Sequence, residues 1–409
     1  MNERQEREGK ALVIAAKSKL TKKGDKWHVP SASGYAPYYE VDPNPRAPHC
    51  TCPDFEKRGE RCKHIYAVEI VIERESSTTT IKTGDTTTTT TTETVKIRYK
   101  QMWRQYNSAQ TNEKADFLKL LHALCANVDE PIQMMGRTRL PMGDMLFATV
   151  YKVYAAVSSR RFMTDLKEAY VRRYISKLPC FNSVNHYLDM PELTPYLQWL
   201  IVQSSLPLKA IETDFAVDSS GFSTCNYVRW FDEKYGKEKS QHDWVKAHII
   251  CGVKTNIVTS VEVGGAHSAD PNYFAPLVNE TKKRFDVKEV SADKAYSSYA
   301  NMRLVDNIGA VPYIDFKTNA SDSGKCEIWN KMFHYYSMNK TEFMSHYHKR
   351  SNVETTFSMV KAKFGGSIRS KIPVAQTNEV LCKFLAHNLC CLIQSMYELG
   401  IEPNFMRND

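Results

Sequence analysis

Four residues of the stretch YHKRSNVETTFSMVK, Tyr347, Arg350, Glu354 and Lys361, sit at offsets 0, 3, 7 and 14. At about 100° per residue they share a helical sector of about 60°, so a phenol, a guanidinium, a carboxylate and an ammonium would face one way. A carboxylate can ligate a cation, whereas an ammonium or guanidinium can only meet an anion such as phosphate. Taken alone, the pattern is also that of a solvated helix with one Arg350–Glu354 pair at i, i+4. Two aspartates upstream change its weight. Asp218 in DFAVDSSGF and Asp293 in VKEVSADKAYSS each close a short apolar run that reads as a strand. Three carboxylates brought together could hold two divalent cations about 4 Å apart, an arrangement that can carry out phosphodiester cleavage.

A second group of residues suits a different metal. The sequence HCTCPDFEKRGERCKHI contains Cys50, Cys52, Cys62 and His64 as C-x-C-x9-C-x-H. Two short-spaced pairs of thiolate and imidazole ligands can close a tetrahedral structural zinc site. Asp54, Glu56 and His49 lie nearby, but four soft or borderline donors already complete it. The eleven cysteines are an odd number and otherwise scattered, which fits reduced thiols better than a disulfide framework.

Around these residues the chain divides into four segments. Residues 1–75 hold a short helix over 1–20, a hairpin of Trp27–Pro30 with Tyr38–Val41, the cysteine cluster and a helix from Ile65. Residues 76–95 are mostly threonine, seven in a row at Thr86–Thr92, and read as a flexible tether. Residues 96–205 read as helical. Between Arg137 and Lys177 they hold nine basic and three acidic residues, an excess suited to phosphate contact by a helix-turn-helix-like unit. Arg160, Arg161, Arg172 and Arg173 are the candidate contacts. From 206 to 409 the pattern gives three strands, a helix over Asn272–Phe285, the Asp293 strand and a helix near Tyr299–Asn307. A fifth strand over Ala310–Phe316 and the Glu354 helix follow. Val353, Phe357, Val360 and Phe364 give that last helix a docking stripe, and Leu381–Leu399 reads as a closing amphipathic helix.

The Tyr347–Lys361 stretch matches the Y-x2-R-x3-E-x6-K signature, and with the ordered aspartates residues 96–400 resemble a DDE transposase of bacterial and archaeal insertion sequences. The first 75 residues resemble a SWIM zinc finger. The implied fold is α/β: a ribonuclease-H-like mixed-sheet catalytic domain, preceded by an all-α basic region and a small zinc-binding α+β module. The resemblance implies that Asp218, Asp293 and Glu354 are a catalytic triad holding Mg²⁺ or Mn²⁺. It also implies that Tyr347, Arg350 and Lys361 position the phosphate backbone, and that Zn²⁺ occupies the cysteine cluster. The implied reaction is hydrolysis at element ends followed by joining of the 3′ ends to target DNA, with double-stranded DNA as partner and a homodimer in the DNA complex. Only about thirty residues separate the fifth strand from the Glu354 helix, where some relatives carry a large insertion.

Other residues compete for roles. Asp214 lies on the Asp218 side of its strand. Asp270 suits a helix N-cap, His267 a loop, and His346 and His348 flank the signature. The net charge of +9 is compatible with a polyanionic partner. The charged start MNERQEREGK has no apolar secretory core, and no apolar run approaches the roughly 20 residues that span a membrane. A cytoplasmic, nucleoid-associated protein of a bacterium or archaeon is the expectation. Two rivals are a domesticated, non-cleaving DNA-binding regulator, which would tolerate loss of the carboxylates, and a nuclease without strand transfer.

Overall fold

The computed structural model describes residues 7, 10–11, 14, 20–23, 26–31, 37–44, 47–71, 73–83, 86–96, 102–136, 138–224, 244–266, 268–322 and 324–405. Most of the helix expected over 1–20 and the expected loop residue His267 lie outside them. The chain separates into two compact units, residues 1–102 and 103–409.

In the first unit an antiparallel sheet is built from β1 (Thr21–Lys23), β2 (Lys26–Pro30), β3 (Tyr38–Asp42) and β4 (His49–Cys50), in that order. The hairpin read from alternation is the β2–β3 pair, with Trp27 opposite Val41 and Val29 opposite Tyr39. Those four side chains are buried on one face, as a period of two requires. Helices α1 (Pro53–Arg58) and α2 (Lys63–Val71) follow, and α2 adds Ile65 and Val68 to that core. The threonine-rich segment differs from its expectation. Its backbone pairs as an antiparallel ribbon of β5 (Glu73–Thr83) and β6 (Thr86–Lys96). Threonine is β-branched and favours extended backbone, a preference outweighed in the composition-based reading by the lack of apolar residues.

The second unit begins with five helices, α3 (Trp103–Cys125), α4 (Met142–Ala155), α5 (Ser159–Val171), α6 (Phe181–Leu188) and α7 (Leu193–Ser205). A five-stranded mixed sheet follows: β7 (Asp214–Ser223), β8 (Trp244–Gly252), β9 (Val258–Gly265), β10 (Glu289–Ala292) and β11 (Val311–Ile314). Its order is β9-β8-β7-β10-β11, antiparallel through β7–β9 and parallel from β7 to β11. A mixed sheet of five strands is what the element order along the chain implied. Helices α8 (Pro271–Lys282) and α9 (Tyr299–Asn307) make the crossovers, and α10 (Glu327–Met338) and α11 (Lys340–Tyr347) fill the short segment before α12 (Ser351–Phe364).

Strands β7 and β8 feed a core on each face of the sheet. Phe215 and Val217 point to the layer of Phe274 and Leu277 on α8, while Ala216 and Phe222 point to the opposite layer. Val353, Phe357, Val360 and Phe364 of α12 lie in that second layer, as their spacing requires. Helix α13 (Pro373–Leu399) lies there too. It is longer than expected and buried nearly all round instead of amphipathic. Its length and apolar content alone would suit a membrane, but it is the core helix of this unit, packed on α3, α4, α7 and β9. Because α13 joins helices from 103–205 to the sheet in one core, residue 205 is not a packing boundary.

Polar groups inside α13 are matched to the sheet. Asn388 accepts from Val258 N at 2.9 Å and donates to Val258 O at 2.7 Å. His387 Nε2 lies 2.9 Å from Asn256 O, and burial pushes its imidazole down to about 4. Its folded pKa is depressed, so its contribution is complete above the unfolded value of about 6.5 and is lost as pH falls through 4. Stability should drop by about 3 kcal/mol across that window. His387→Gln, which can still donate to the carbonyl, should flatten the pH dependence of the urea midpoint. An equally steep dependence in the variant would remove His387 as its source.

Candidate active site and metal centre

Parallel pairing of β7 and β10 puts Ala292 beside Val217, so Asp218 and Asp293 each come one residue later on neighbouring strands. Asp218 faces the α12 side, the parity that buries Ala216 there. Its Oδ1 accepts from Ser219 N at 2.8 Å. Asp293 caps the turn beyond β10 by accepting from Lys294 N at 2.6 Å. Glu354 projects from the first turn of α12 and is more than half exposed.

Arg350 connects two of these groups. Its guanidinium reaches Asp218 Oδ2 at 2.8 Å and Glu354 Oε1 at 2.7 Å. Burial raises the Asp218 pKa, the Arg350 charge opposes that rise, and the charges of Asp293 and Glu354 add to it. Asp218 therefore feels the charge of both other carboxylates, and one guanidinium faces three negative groups. Oxygen donors with surplus negative charge fit hard divalent cations.

The Tyr347–Lys361 stretch is not one regular helix. Tyr347 ends α11, His348–Arg350 form a 3-10 turn and α12 starts at Ser351. Tyr347 is consequently buried, its ring 5.8 Å beneath the Arg350 guanidinium. Lys361 donates to Ser220 Oγ at 2.7 Å, two residues beyond Asp218 on β7.

Lys349, which spacing did not single out, anchors the same turn. Its ammonium lies 2.6 Å from both Asp214 Oδ2 and Glu289 Oε2, and His346 Nδ1 lies 2.9 Å from the latter oxygen. Burial alone would raise the Asp214 pKa, but Lys349 outweighs it and holds that carboxyl below its ordinary value. Asp214 and His346 thus serve the turn's attachment.

Asp270 does not cap α8 with its side chain. It turns to the sheet, where Oδ1 lies 2.6 Å from Lys246 Nζ and accepts from Ser219 Oγ at 3.0 Å. The reason is competition: a lysine and a hydroxyl bound beside Asp218 satisfy the carboxylate better than exposed helix amides. The Tyr296 hydroxyl lies beside Ser219, and burial together with the charges of Asp270 and Asp218 raises its pKa. Nothing in the linear spacing marked Lys246 or Tyr296, which come from separate elements.

The four arginines proposed for DNA contact do not form one patch. Arg160 and Arg161 start α5, and Arg172 and Arg173 follow its end, about 18 Å away along the axis. Arg160 packs over the Phe181 ring at 4.9 Å, and Arg172 pairs with Glu168 at 2.7 Å. All four are exposed.

In the first unit Cys50, Cys52, Cys62 and His64 are all buried, with one ligand atom from each within 4.8 Å of the others. Among the described residues this is the one group of three or more such side chains so closely gathered. Cys50 and Cys62 Sγ each lie 3.9 Å from His64 Nδ1. A tetrahedral zinc with ordinary bond lengths needs about 3.6 Å for that edge, so the donors fit. Cys52 is also the N-cap of α1, its sulfur accepting from Phe55 N at 3.4 Å. Gly59 at φ 66° ends α1 in the left-handed region and turns the chain back to Cys62. Hydrogen bonding from Cys50 and Cys62 pulls the Cys52 thiol far below its ordinary range, while hydrogen bonding with Cys52 pushes Cys50 far above it. A bound dication would let all three be thiolates.

Two family models match this sequence. A transposase DDE domain covers residues 210–389, and a SWIM zinc finger covers residues 39–73. Among solved structures, the piggyBac transposase synaptic complex with hairpin DNA is similar over 71% of this chain and 74% of that one. The identity is 12% and the TM-score 0.33. No curated protein matches. The first family span contains Asp218, Asp293 and Glu354, and the second contains all four cysteine and histidine donors.

Proposed function

We propose, from the match of residues 210–389 to a transposase DDE domain and of residues 39–73 to a SWIM zinc finger, that this chain cuts the ends of an insertion-sequence element and joins the 3′ ends to target DNA. The observation that supports this best is the placing of Asp218 and Asp293 at the ends of two adjacent strands, with the Arg350 guanidinium bridging Asp218 to Glu354 on α12. These carboxylates would hold divalent cations, which when bound make a water or 3′-hydroxyl nucleophilic and offset charge on the leaving oxygen.

The protein's own groups do the rest. The β7–β10 pairing fixes two carboxylates rigidly, and α12 brings the third. Arg350 bridges Asp218 and Glu354 and offsets part of their charge, and with those carboxylates holding cations its guanidinium would be available to a phosphate oxygen. Lys361, held at Ser220, would touch the backbone farther along β7. In the first unit, Cys50, Cys52, Cys62 and His64 would hold zinc.

The test is direct. Full-length protein with DNA carrying the inverted repeats that flank its gene should nick at the repeat termini in Mg²⁺ or Mn²⁺ and transfer the freed ends to a plasmid. Nicking without transfer would leave a nuclease. Binding without nicking, with either metal, would favour the non-cleaving regulator.

A further inference from the structure

The second unit has a groove of about 600 Å³ between the starts of α5 and α6 and the chain that follows α12. Lys152, Arg160, Arg369 and Lys371 line it, against one carboxylate, Asp189. None of the four cations forms a salt bridge among the described residues. Four cations against one carboxylate around one concavity concentrate positive potential there, which suits an external polyanion. Lys152 is the deepest of them; burial lowers its pKa, the charge of Glu379 opposes that shift in part, and an arriving anion would oppose it further.

The groove is joined to the candidate active site through the backbone. Strand β7 carries Asp218, then Ser220 with Lys361 on it, then Ser223. Ser223 N donates to Gly366 O at 3.0 Å, and Ile368 N donates to Ser223 O at 2.7 Å. Arg369 is the next residue. Lys383, buried in α13, locks this crossing by donating to Gly365 O at 2.8 Å and Ser367 O at 2.7 Å. From Asp218 to Ser223 the strand advances about 17 Å, which equals about five steps of a DNA strand.

We infer that this groove binds the phosphodiester backbone of the same DNA duplex, about five or more nucleotides from the bond cut at Asp218, Asp293 and Glu354. The inference rests on the proposed function and adds a location to it. A duplex along β7 would meet Arg350 first, then Lys361, then Arg369 and Lys371, a line of cations ending where α5 begins. Arg160 belongs to this line, and Arg172 and Arg173, at the far end of α5, do not.

The experiment measures binding of full-length protein to a short fluorescent duplex without divalent metal, between about 50 and 200 mM salt. The double variant Arg369→Gln, Lys371→Gln changes two exposed side chains, and an unchanged melt would confirm that it folds. Its log–log salt slope should be shallower than wild type by about two, and adding Lys152→Gln should remove about one more. Arg172→Gln with Arg173→Gln should leave the slope in place. A wild-type slope in the double variant, with tight salt-sensitive binding retained, would overturn the groove but not the transposase. A wild type that binds duplex with no salt dependence would overturn the transposase reading itself. Displacement of the duplex by an equal charge of polyglutamate would make the partner an acidic protein and likewise overturn the inference.

Discussion

Alanine in place of Asp218, Asp293 or Glu354 is expected to abolish cleavage of element-end DNA in either Mg²⁺ or Mn²⁺. Each carboxylate comes from a different element, so none can move to cover the loss of another. A loss of about 10³-fold or more, the equivalent of about 4 kcal/mol in the barrier, is the expected size. Glu354→Gln should be nearly as damaging, because the amide keeps the shape and lacks the charge. Duplex binding without metal should survive in all four variants. Protein stability separates the positions. Asp218→Ala leaves the partly buried Arg350 with Glu354 as its remaining carboxylate, whereas Glu354 is largely exposed and its loss should be mild. Gel assays on labelled end DNA, with melting curves beside them, read both effects. Full cleavage by Glu354→Ala would end the triad assignment.

The second large effect concerns zinc. Full-length protein should contain one Zn²⁺ per chain by elemental analysis, and chelation should unfold residues 39–73 while leaving the second unit folded. The first unit has a core of few side chains, Trp27, Val29, Tyr39, Val41, Ile65 and Val68 chief among them, and domains this small seldom hold without a staple. Structural zinc sites supply about 10–16 kcal/mol of apparent binding free energy near neutral pH, more than such a core can replace. Cys62→Ser should mimic chelation. Limited proteolysis would show new cuts near Cys50–His64 in both cases. A protein free of zinc whose cluster stays protease-resistant would refute the metal centre.

Much of this molecule follows from local pattern. Alternation placed β2, β3 and β7. The turn at Asn256, whose φ of 59° suits asparagine, separated β8 from β9. The Val353–Phe364 stripe placed α12, and the cysteine spacing gathered the donors. Such features are governed by neighbours within a few residues, so a linear reading reaches them. Tertiary packing decided the rest. The Tyr347–Lys361 sector broke at a 3-10 turn because Lys349 and Arg350 must reach Asp214 and Asp218, four residues apart on one strand. Asp270 left its helix for Lys246 and Ser219 because the sheet offered a charged partner that no local signal encodes. The helices of 103–205 and the sheet became one core because α13, last in the chain, packs against both. Contacts between residues more than a hundred positions apart depend on which surfaces meet, and that is settled only when the whole chain has buried its apolar faces.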